Sequence, residues 1–179
     1  MKNYQAIIDK YYPAGTKCRG IFILHSRQVA DKALEIARRC NLDIPLDIVE
    51  AAAMLHDIGI FLTNAPDIEC HGSEHYICHG ILGADLLRQE GVDEVIARVA
   101  ERHTGAGLTI EDIDRQQLPL PRKDYLPETT LEKLICYADK FFSKSGTMQE
   151  KPLDKVRVSM ARHSTESLSR FNELHKLFK

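Results

Sequence analysis

Apolar residues recur at steps of about three and four along most of the chain, which is the spacing of one face of an α-helix. Residues 18–40 show the pattern most clearly, with a stripe of Ile21, Leu24, Val29, Ala33 and Ile36. No segment alternates apolar and polar residues between turn signals, as a half-buried strand does. The pattern predicts an all-α fold, a bundle of about seven helices.

Start and stop signals place the ends of the predicted helices. Pro45 suits a first helical turn, Gly59 and Gly91 suit helix ends, and Thr129 with Glu132 has the form of a capping box. No linker or repeat divides the 179 residues, so we expect a single domain over residues 1–179. Loops are predicted at 62–74 and 143–152. The predicted helices cover residues 3–12, 18–40, 46–58, 75–90, 92–103, 109–117, 130–142 and, as one long C-terminal helix, 153–178.

Charge and composition exclude several classes of partner. Lys and Arg total 24 against 26 Asp and Glu, a net charge of −2, so no basic excess favours a nucleic acid polymer. The longest apolar runs are about five residues, whereas a membrane helix needs about 20. The five cysteines are odd in number and widely spaced, which disfavours a disulfide framework. Since no signal-peptide core is present at the start, we expect a protein of the reducing cytoplasm that binds no membrane.

Six ionisable side chains stand among residues that favour burial. Any one of these histidines alone is more often a hydrogen-bonded core residue than a ligand, and one aspartate alone often belongs to a structural ion pair. Four histidines and two aspartates from five helices are costly to bury without a shared partner, and a metal ion is such a partner. Imidazole and carboxylate without thiolate favour Fe or Mn and are compatible with Zn, Ni or Mg. The six residues are His25, His56, Asp57, His79, His103 and Asp139.

The order of these residues resembles the HD superfamily of metal-dependent phosphohydrolases. Residues 56–59 read His-Asp-Ile-Gly, the HDIG form of the superfamily signature, with His25 before them and Asp139 in an Ala-Asp-Lys context after them. The two-residue His-Asp motif is weak by itself, whereas the ordered set in these contexts is specific. The resemblance spans about residues 20–145, most of the chain.

Within that superfamily, the chain is most similar to the HD-type symmetrical diadenosine tetraphosphate hydrolases. The matching sequence segments are His-Gly at 79–80, Glu-Arg-His-Thr at 101–104 and Tyr-Ala-Asp-Lys at 137–140. Two features depart from that group: the segment from Gly105 to Thr130 is longer, and Ile60 stands where related enzymes often have Lys. The sequence lacks a Gly-Tyr-Pro element, so we set cyclic di-GMP aside as the substrate.

The resemblance implies a single HD domain with a metal-site core at about 20–145. It implies that one divalent ion is held by His25, His56, Asp57 and Asp139. It also implies that Asp57 bridges to a second ion held by His79 and His103. A hydroxide activated by both ions would cleave a phosphoester or phosphoanhydride of a small nucleotide-like substrate. Asp57 and Lys140 are the candidate catalytic residues, Lys140 because it can neutralise a phosphate charge.

Two alternatives use the same ligands. One is a di-iron oxygenase of the HD fold, and the other is a metal-binding regulatory module without turnover. The intact ligand set favours an enzyme over a bare module. The expected partner is a small phosphorylated compound, a nucleotide first, and a homodimer is compatible with the sequence. The loops 62–78 and 104–128 are expected to shape the pocket.

The remaining histidines give weaker signals. His71 and His75 lie in a loop, where solvent exposure is more expected than a place at the pocket mouth. His163 and His175 lie on the polar C-terminal segment and are expected at the surface. Arg27 points away from His25 on a helix, so it is expected at the surface or in a salt bridge.

Overall fold

Helices form at almost every position where the apolar periodicity predicts one. A computed structural model describes residues 3–179, and that range contains nine α-helices rather than about seven. Within the described range, no helix has both the length and the apolar character needed to cross a membrane. The helices are α1 Tyr4–Tyr11, α2 Lys17–Arg39, α3 Leu46–Leu55, α4 His79–Gln89, α5 Glu94–Arg102, α6 Ile110–Gln116, α7 Thr130–Asp139, α8 Leu153–His163 and α9 Thr165–Phe178.

The C-terminal segment differs from the prediction of one helix over 153–178. It forms two helices, α8 and α9, which pack against each other. Ser164 between them has extended backbone (φ −174°), and its side chain accepts a hydrogen bond from the Ser167 backbone N–H. A serine that caps a new helix in this way competes with continuation of the preceding one. The prediction of one long helix is therefore wrong.

The predicted loop 62–74 contains two short antiparallel strands, which the sequence pattern did not predict. Strand β1 is Asn64–Ala65 and strand β2 is Cys70–His71, with Asn64 opposite His71 and Ala65 opposite Cys70. A 3-10 turn at Pro66–Ile68 joins them. Two residues per strand are too few to show the alternation by which a strand is recognised in sequence.

The long helix α2 organises the core. It packs against α3 and α7, while α5 packs against α3, α4 and α7. The buried face of α2 carries Phe22, Val29 and Ala33. Helix α3 presents the small residues Ala51 and Ala52, both fully buried, which lets neighbouring backbones approach closely. The ends of α3, α5 and α7, the start of α4 and the middle of α2 therefore meet at one place.

A close backbone approach fixes the turn that follows α3 against α4. A Cβ atom on Gly59 would lie 2.4 Å from the His79 carbonyl oxygen and 2.5 Å from the Gly83 nitrogen. Only glycine fits there, although the backbone of Gly59 is ordinary (φ −85°). This contact brings the residues just before Gly59 next to the start of α4.

All five cysteines are free thiols in the structure. Cys70, Cys78 and Cys136 are buried, and the other two are half-buried. The Sγ atoms of Cys18 and Cys70 lie 3.4 Å apart, within reach of a weak thiol hydrogen bond. The cysteines thus serve mainly as small core residues.

Candidate metal centre

The six predicted ligands converge on one buried place. His25 lies in the middle of α2, His56 and Asp57 lie just after α3, and His103 lies just after α5. His79 is the first residue of α4, and Asp139 is the last residue of α7. The exposed fraction of each residue is between 0% and 7%. The six are His25, His56, Asp57, His79, His103 and Asp139.

One group consists of His25, His56, Asp57 and Asp139. Their potential ligand atoms all lie within 4.8 Å of one another. His25 Nε2 is 3.0 Å from Asp57 Oδ2 and 3.0 Å from Asp139 Oδ1. His56 Nε2 is 2.9 Å from Asp57 Oδ2 and 3.5 Å from Asp139 Oδ1. Two imidazoles and two carboxylates thus face a common centre.

A second group uses the other oxygen of Asp57. Its Oδ1 atom is 3.4 Å from His79 Nε2 and 3.3 Å from His103 Nε2, and these two nitrogens are 3.1 Å apart. Asp57 therefore belongs to both groups, one through each carboxylate oxygen. The resemblance to the HD superfamily implies that Asp57 bridges two ions, and this role stays a prediction.

Backbone carbonyls orient three of the histidines. The Nδ1 atoms of His56, His79 and His103 lie 2.6, 2.7 and 2.8 Å from the carbonyl oxygens of residues 53, 76 and 100. A carbonyl oxygen only accepts hydrogen bonds, so each Nδ1 is the donor. The lone pair of each neutral imidazole is then on Nε2, the atom that faces Asp57. Metal-binding histidines are held in this way by their second nitrogen.

The arrangement leaves buried polar atoms that a cation would satisfy. His79 Nε2 and His103 Nε2 face each other at 3.1 Å with a lone pair each, which is unfavourable without a proton or cation between them. Among residues 3–179, the buried Asp57 Oδ1 has no donor in good geometry, because the nitrogens beside it, His79 Nε2 and His103 Nε2, carry lone pairs themselves. Unpaired buried groups of this kind are expensive. The donor set therefore fits divalent metal ions, and its nitrogen and oxygen atoms match Fe, Mn or Zn.

The pKa of His56 in the first group is shifted upward, whereas the pKa values of His79 and His103 in the second group are shifted downward. Burial opposes a charge on His56, but the carboxylate of Asp57 and then a hydrogen bond to Asp139 raise its pKa to about 9. Burial lowers the pKa of His79 to about 3 and outweighs the attraction of Asp57. Burial also lowers the pKa of His103. Both histidines of the second group are thus neutral at pH 7, as ligands must be.

Both aspartates are ionised despite complete burial. Burial raises the pKa of Asp57, but His56 and then Lys144 hold it well below its usual range. The pKa of Asp139 is also held low, by Lys140 and by hydrogen bonds from two histidines. Lys140 Nζ lies 2.7 Å from Asp139 Oδ2 and donates to the His103 carbonyl oxygen at 3.0 Å. The predicted catalytic lysine is therefore at the centre.

The sequence analysis missed Lys144. Its Nζ lies 2.6 Å from Asp57 Oδ2, and the residue is half-buried. It lies in the predicted loop 143–152, where no apolar flank marks it as an inward-facing residue. Its only sequence signal is its position five residues after Asp139.

A cavity of about 580 Å³ opens from the second group. One end of the cavity, called the metal end below, is lined by predicted ligands and two lysines: His79, His103, Asp139, Lys140 and Lys144. Apolar side chains line the remainder together with polar and charged ones such as Asp112 and Arg170, and this part includes the α8–α9 junction and parts of both loops predicted to shape a pocket. Its volume lies within the range of small-molecule sites.

The other histidines agree only in part with the predictions. His71 and His75 are exposed, as expected, and neither lines the cavity. His163 is exposed but does line the cavity. His175 is half-buried, with the Tyr137 hydroxyl 2.8 Å from its Nδ1, so it is less exposed than a free surface residue. Arg27 is paired with Glu50 at 2.7 Å, as predicted.

Comparison with known proteins agrees with this geometry. A family model for the HD domain matches residues 22–143, which include all six predicted ligands. The chain belongs to the HD domain family. This membership confirms the predicted superfamily and supports a metal-dependent phosphohydrolase. The finer likeness to diadenosine tetraphosphate hydrolases stays a prediction.

Individual relatives differ in what they are named for. The chain is 38% identical over 153 residues to a tRNA (cytidine(56)-2'-O)-methyltransferase of Picrophilus torridus, a match covering 80% of this chain and 40% of that protein. It is 38% identical over 125 residues to an uncharacterized protein of Methanocaldococcus jannaschii, covering 68% of this chain and 66% of that one. The chain thus spans less than half of the methyltransferase.

A solved structure supports the fold. The HD domain of the L. monocytogenes phosphodiesterase PgpH superimposes with a TM-score of 0.57, covering 97% of this chain and 95% of that one. The sequence identity is 16%, so this likeness concerns the fold alone. It agrees with the all-α HD-domain prediction.

Proposed function

We propose that this HD domain is a metal-dependent phosphohydrolase that cleaves a phosphoester or phosphoanhydride of a small nucleotide-like substrate. The observation that carries the proposal is the sharing of Asp57 between two ligand groups, through its two separate oxygens. The groups stand at the end of a cavity whose wall carries the half-buried lysines Lys140 and Lys144. Positive charge beside a dinuclear ligand set suits a phosphoryl group.

Each ligand residue has a proposed place. His25, His56, Asp57 and Asp139 would hold one divalent ion, Fe or Mn before Zn, Ni or Mg. Asp57, His79 and His103 would hold the second. When bound, such ions supply an acidified water and positive charge for phosphoryl oxygens.

The chain's own groups then orient and neutralise the substrate. Asp57 fixes the spacing of the two groups, because each of its oxygens serves one of them. Lys140 is the proposed partner of a phosphate charge, and its ammonium lines the cavity. Its hydrogen bond to the His103 carbonyl also holds that ligand's backbone near the end of α7.

The setting of the enzyme follows from weaker signals. Five free thiols favour a reducing compartment such as the cytoplasm. A homodimer stays a prediction, to be measured by light scattering. The likeness to a protein named as a tRNA methyltransferase favours a second candidate, a phosphoester in an RNA, so tRNA belongs among the substrates tested.

The test is a hydrolysis screen of protein loaded with Mn or Fe. The substrates are bis-p-nitrophenyl phosphate, nucleoside phosphates, dinucleoside polyphosphates and tRNA, and oxygen consumption is measured beside them. We expect release of phosphate or of a nucleotide that is lost in His103→Ala. It should be retained in His71→Ala, a matched change at an exposed histidine outside the cavity. Oxygen uptake without hydrolysis would establish the oxygenase alternative, and metal binding without any turnover would establish the regulatory module.

A further inference from the structure

Three lysines share one wall of the cavity. Lys140 follows α7, and Lys144 and Lys151 lie in the connection to α8. All three lysines are half-buried, and the side chains of Lys140 and Lys144 are 9% and 13% exposed. A single short segment thus brings three ammonium groups to the metal end of the site.

These ammonium groups are not balanced by separate counter-ions. Lys140 pairs with Asp139 at 2.7 Å and Lys144 with Asp57 at 2.6 Å, and both carboxylates are also ligand positions. Metal ions bound there would take up the same negative charge. Among residues 3–179, no carboxylate oxygen lies within 4.0 Å of the Lys151 ammonium, in contrast to the other two lysines. The segment therefore presents an excess of positive charge to the cavity.

The far end of the cavity is balanced. Arg170 Nη2 lies 2.5 Å from Asp112 Oδ2 and donates to the Gly107 carbonyl oxygen at 3.2 Å. Arg115 contacts the other oxygen of the same carboxylate and also lies 3.6 Å from the Glu166 carboxylate, so two guanidinium groups face two carboxylates there. The positive excess is thus confined to the end that contains the metal ligands.

An unpaired, partly buried ammonium is unfavourable. Burial lowers the pKa of Lys151, and the nearby charges of Lys140 and Lys144 lower it further, although Asp139 opposes them. An anion held at this wall would relieve both effects. One phosphate at the metal ligands leaves Lys151 as a site for another anionic group.

We propose that Lys144 and Lys151 bind a second phosphate group of the substrate, one that is not cleaved, beside the phosphate at the metal ligands. The ligand class is a compound with two linked phosphates, such as a nucleoside diphosphate or a longer polyphosphate. This inference rests on the proposed function, which supplies the first phosphate.

The test compares two phosphonates that are not hydrolysed. Metal-loaded protein is titrated by calorimetry with methylphosphonate and with methylenediphosphonate, and its metal content is measured before and after. Because the second phosphonate would gain a charge-assisted hydrogen bond, we expect the diphosphonate to bind at least about tenfold more tightly. Lys151→Met should reduce this ratio of affinities about tenfold, and Lys151→Arg should retain most of it. Lys155→Met, at an exposed lysine of α8 outside the cavity, should leave the ratio unchanged.

Lys144→Met should also reduce the ratio while metal content stays the same. If this variant loses metal instead, Lys144 acts through Asp57 and its part of the proposal is overturned. If Lys151→Met lowers the two affinities equally or changes neither, the second phosphate site does not exist. Neither phosphonate is turned over, so a negative hydrolysis screen and a negative binding result are separate outcomes.

Discussion

At the scale of residues, the site depends on one carboxylate. Asp57 has no exposed surface, and its two oxygens face two different sets of imidazoles. The three histidines held through Nδ1 keep their Nε2 atoms directed at it. The first group has a second carboxylate, Asp139, whereas the second group has none. The two ion positions should therefore differ in strength.

The first prediction tests this difference by metal content. The second position has only His79 and His103 besides Asp57, so either change to Ala should leave about one metal ion per chain. Turnover should fall by orders of magnitude, on the order of 10²-fold or more, with the fold intact. Asp57→Ala should deplete both positions and destabilise the protein, because it leaves buried imidazoles without their common partner.

Elemental analysis and circular dichroism of the purified variants decide the matter. Full metal content and full activity in both histidine variants would mean that one ion alone is bound. His79 and His103 would then be wall residues of the cavity around that ion.

The six residues that the structure brings together at this centre could be named from sequence, and Lys144 could not; that the six bind metal stays a prediction. Each of the six is a titratable residue within an apolar segment. Its apolar neighbours predict that it is buried, and burying a titratable group without a partner is energetically unfavourable. Lys144 stands among polar residues, and its inward direction is set by the path of the connection from α7 to α8. A loop path of this kind leaves no periodic pattern in the sequence.

At the scale of elements, the turn after α3 must touch α4. The second prediction is that Gly59→Ala destabilises the protein by about 3 kcal/mol, because the added Cβ would meet backbone atoms at 2.4 and 2.5 Å. The same displacement would move His79 away from Asp57 and lower metal content. Gly20→Ala is the matched control, since nothing lies within 4 Å of its Cβ position in α2, and it should stabilise by about 0.5–1 kcal/mol. Urea unfolding measures both, and equal effects would refute the close-packing argument.

The start of α7 is the subject of the third prediction. Thr129 accepts a hydrogen bond from the Glu132 backbone N–H at 3.2 Å, and the Glu132 carboxylate reaches back to the Thr129 N–H at 3.3 Å. Loss of such a cap costs about 1 kcal/mol, so Thr129→Ala should lower the free energy of unfolding by that amount. Thr129→Ser keeps the hydroxyl and should retain most of the stability. An Ala variant as stable as the wild type would show that the cap contributes nothing.

The capping box at Thr129 was predicted from sequence, whereas the break at Ser164 was not. Both are short polar signals, but the first precedes an apolar run and the second lies within a polar segment. Apolar spacing continues through Ser164 with Met160, Phe171 and Leu174 buried on either side. The hydrogen bond that the Ser164 side chain accepts ends α8 and starts α9. The spacing of apolar residues carries no information about such a local hydrogen bond.

At the scale of the whole molecule, the bundle holds opposing ionisation preferences in one core. In the metal-free fold, the pKa of His56 is raised to about 9 from an ordinary value near 6.5. Between these two values the folded state binds more protons than the unfolded chain, so stability falls as pH rises. The pKa of His79 is lowered to about 3, so between 3 and 6.5 the unfolded chain binds more protons and stability rises with pH.

The fourth prediction follows from these two pH ranges, one in which stability rises with pH and one in which it falls. Metal-free protein should be most stable near pH 6.5, with a slope of about 1.4 kcal/mol per pH unit for each proton involved. Bound metal requires both histidines to be deprotonated, so the metal-loaded protein should lose the decline from pH 6.5 to 9. Urea unfolding of chelator-treated and metal-loaded protein, measured from about pH 5 to about pH 9.5 across the two pH ranges, gives both profiles. A metal-free stability that is flat or rises between pH 6.5 and 9 would mean that the buried carboxylates do not hold a proton on His56, and the first group would not be arranged as described.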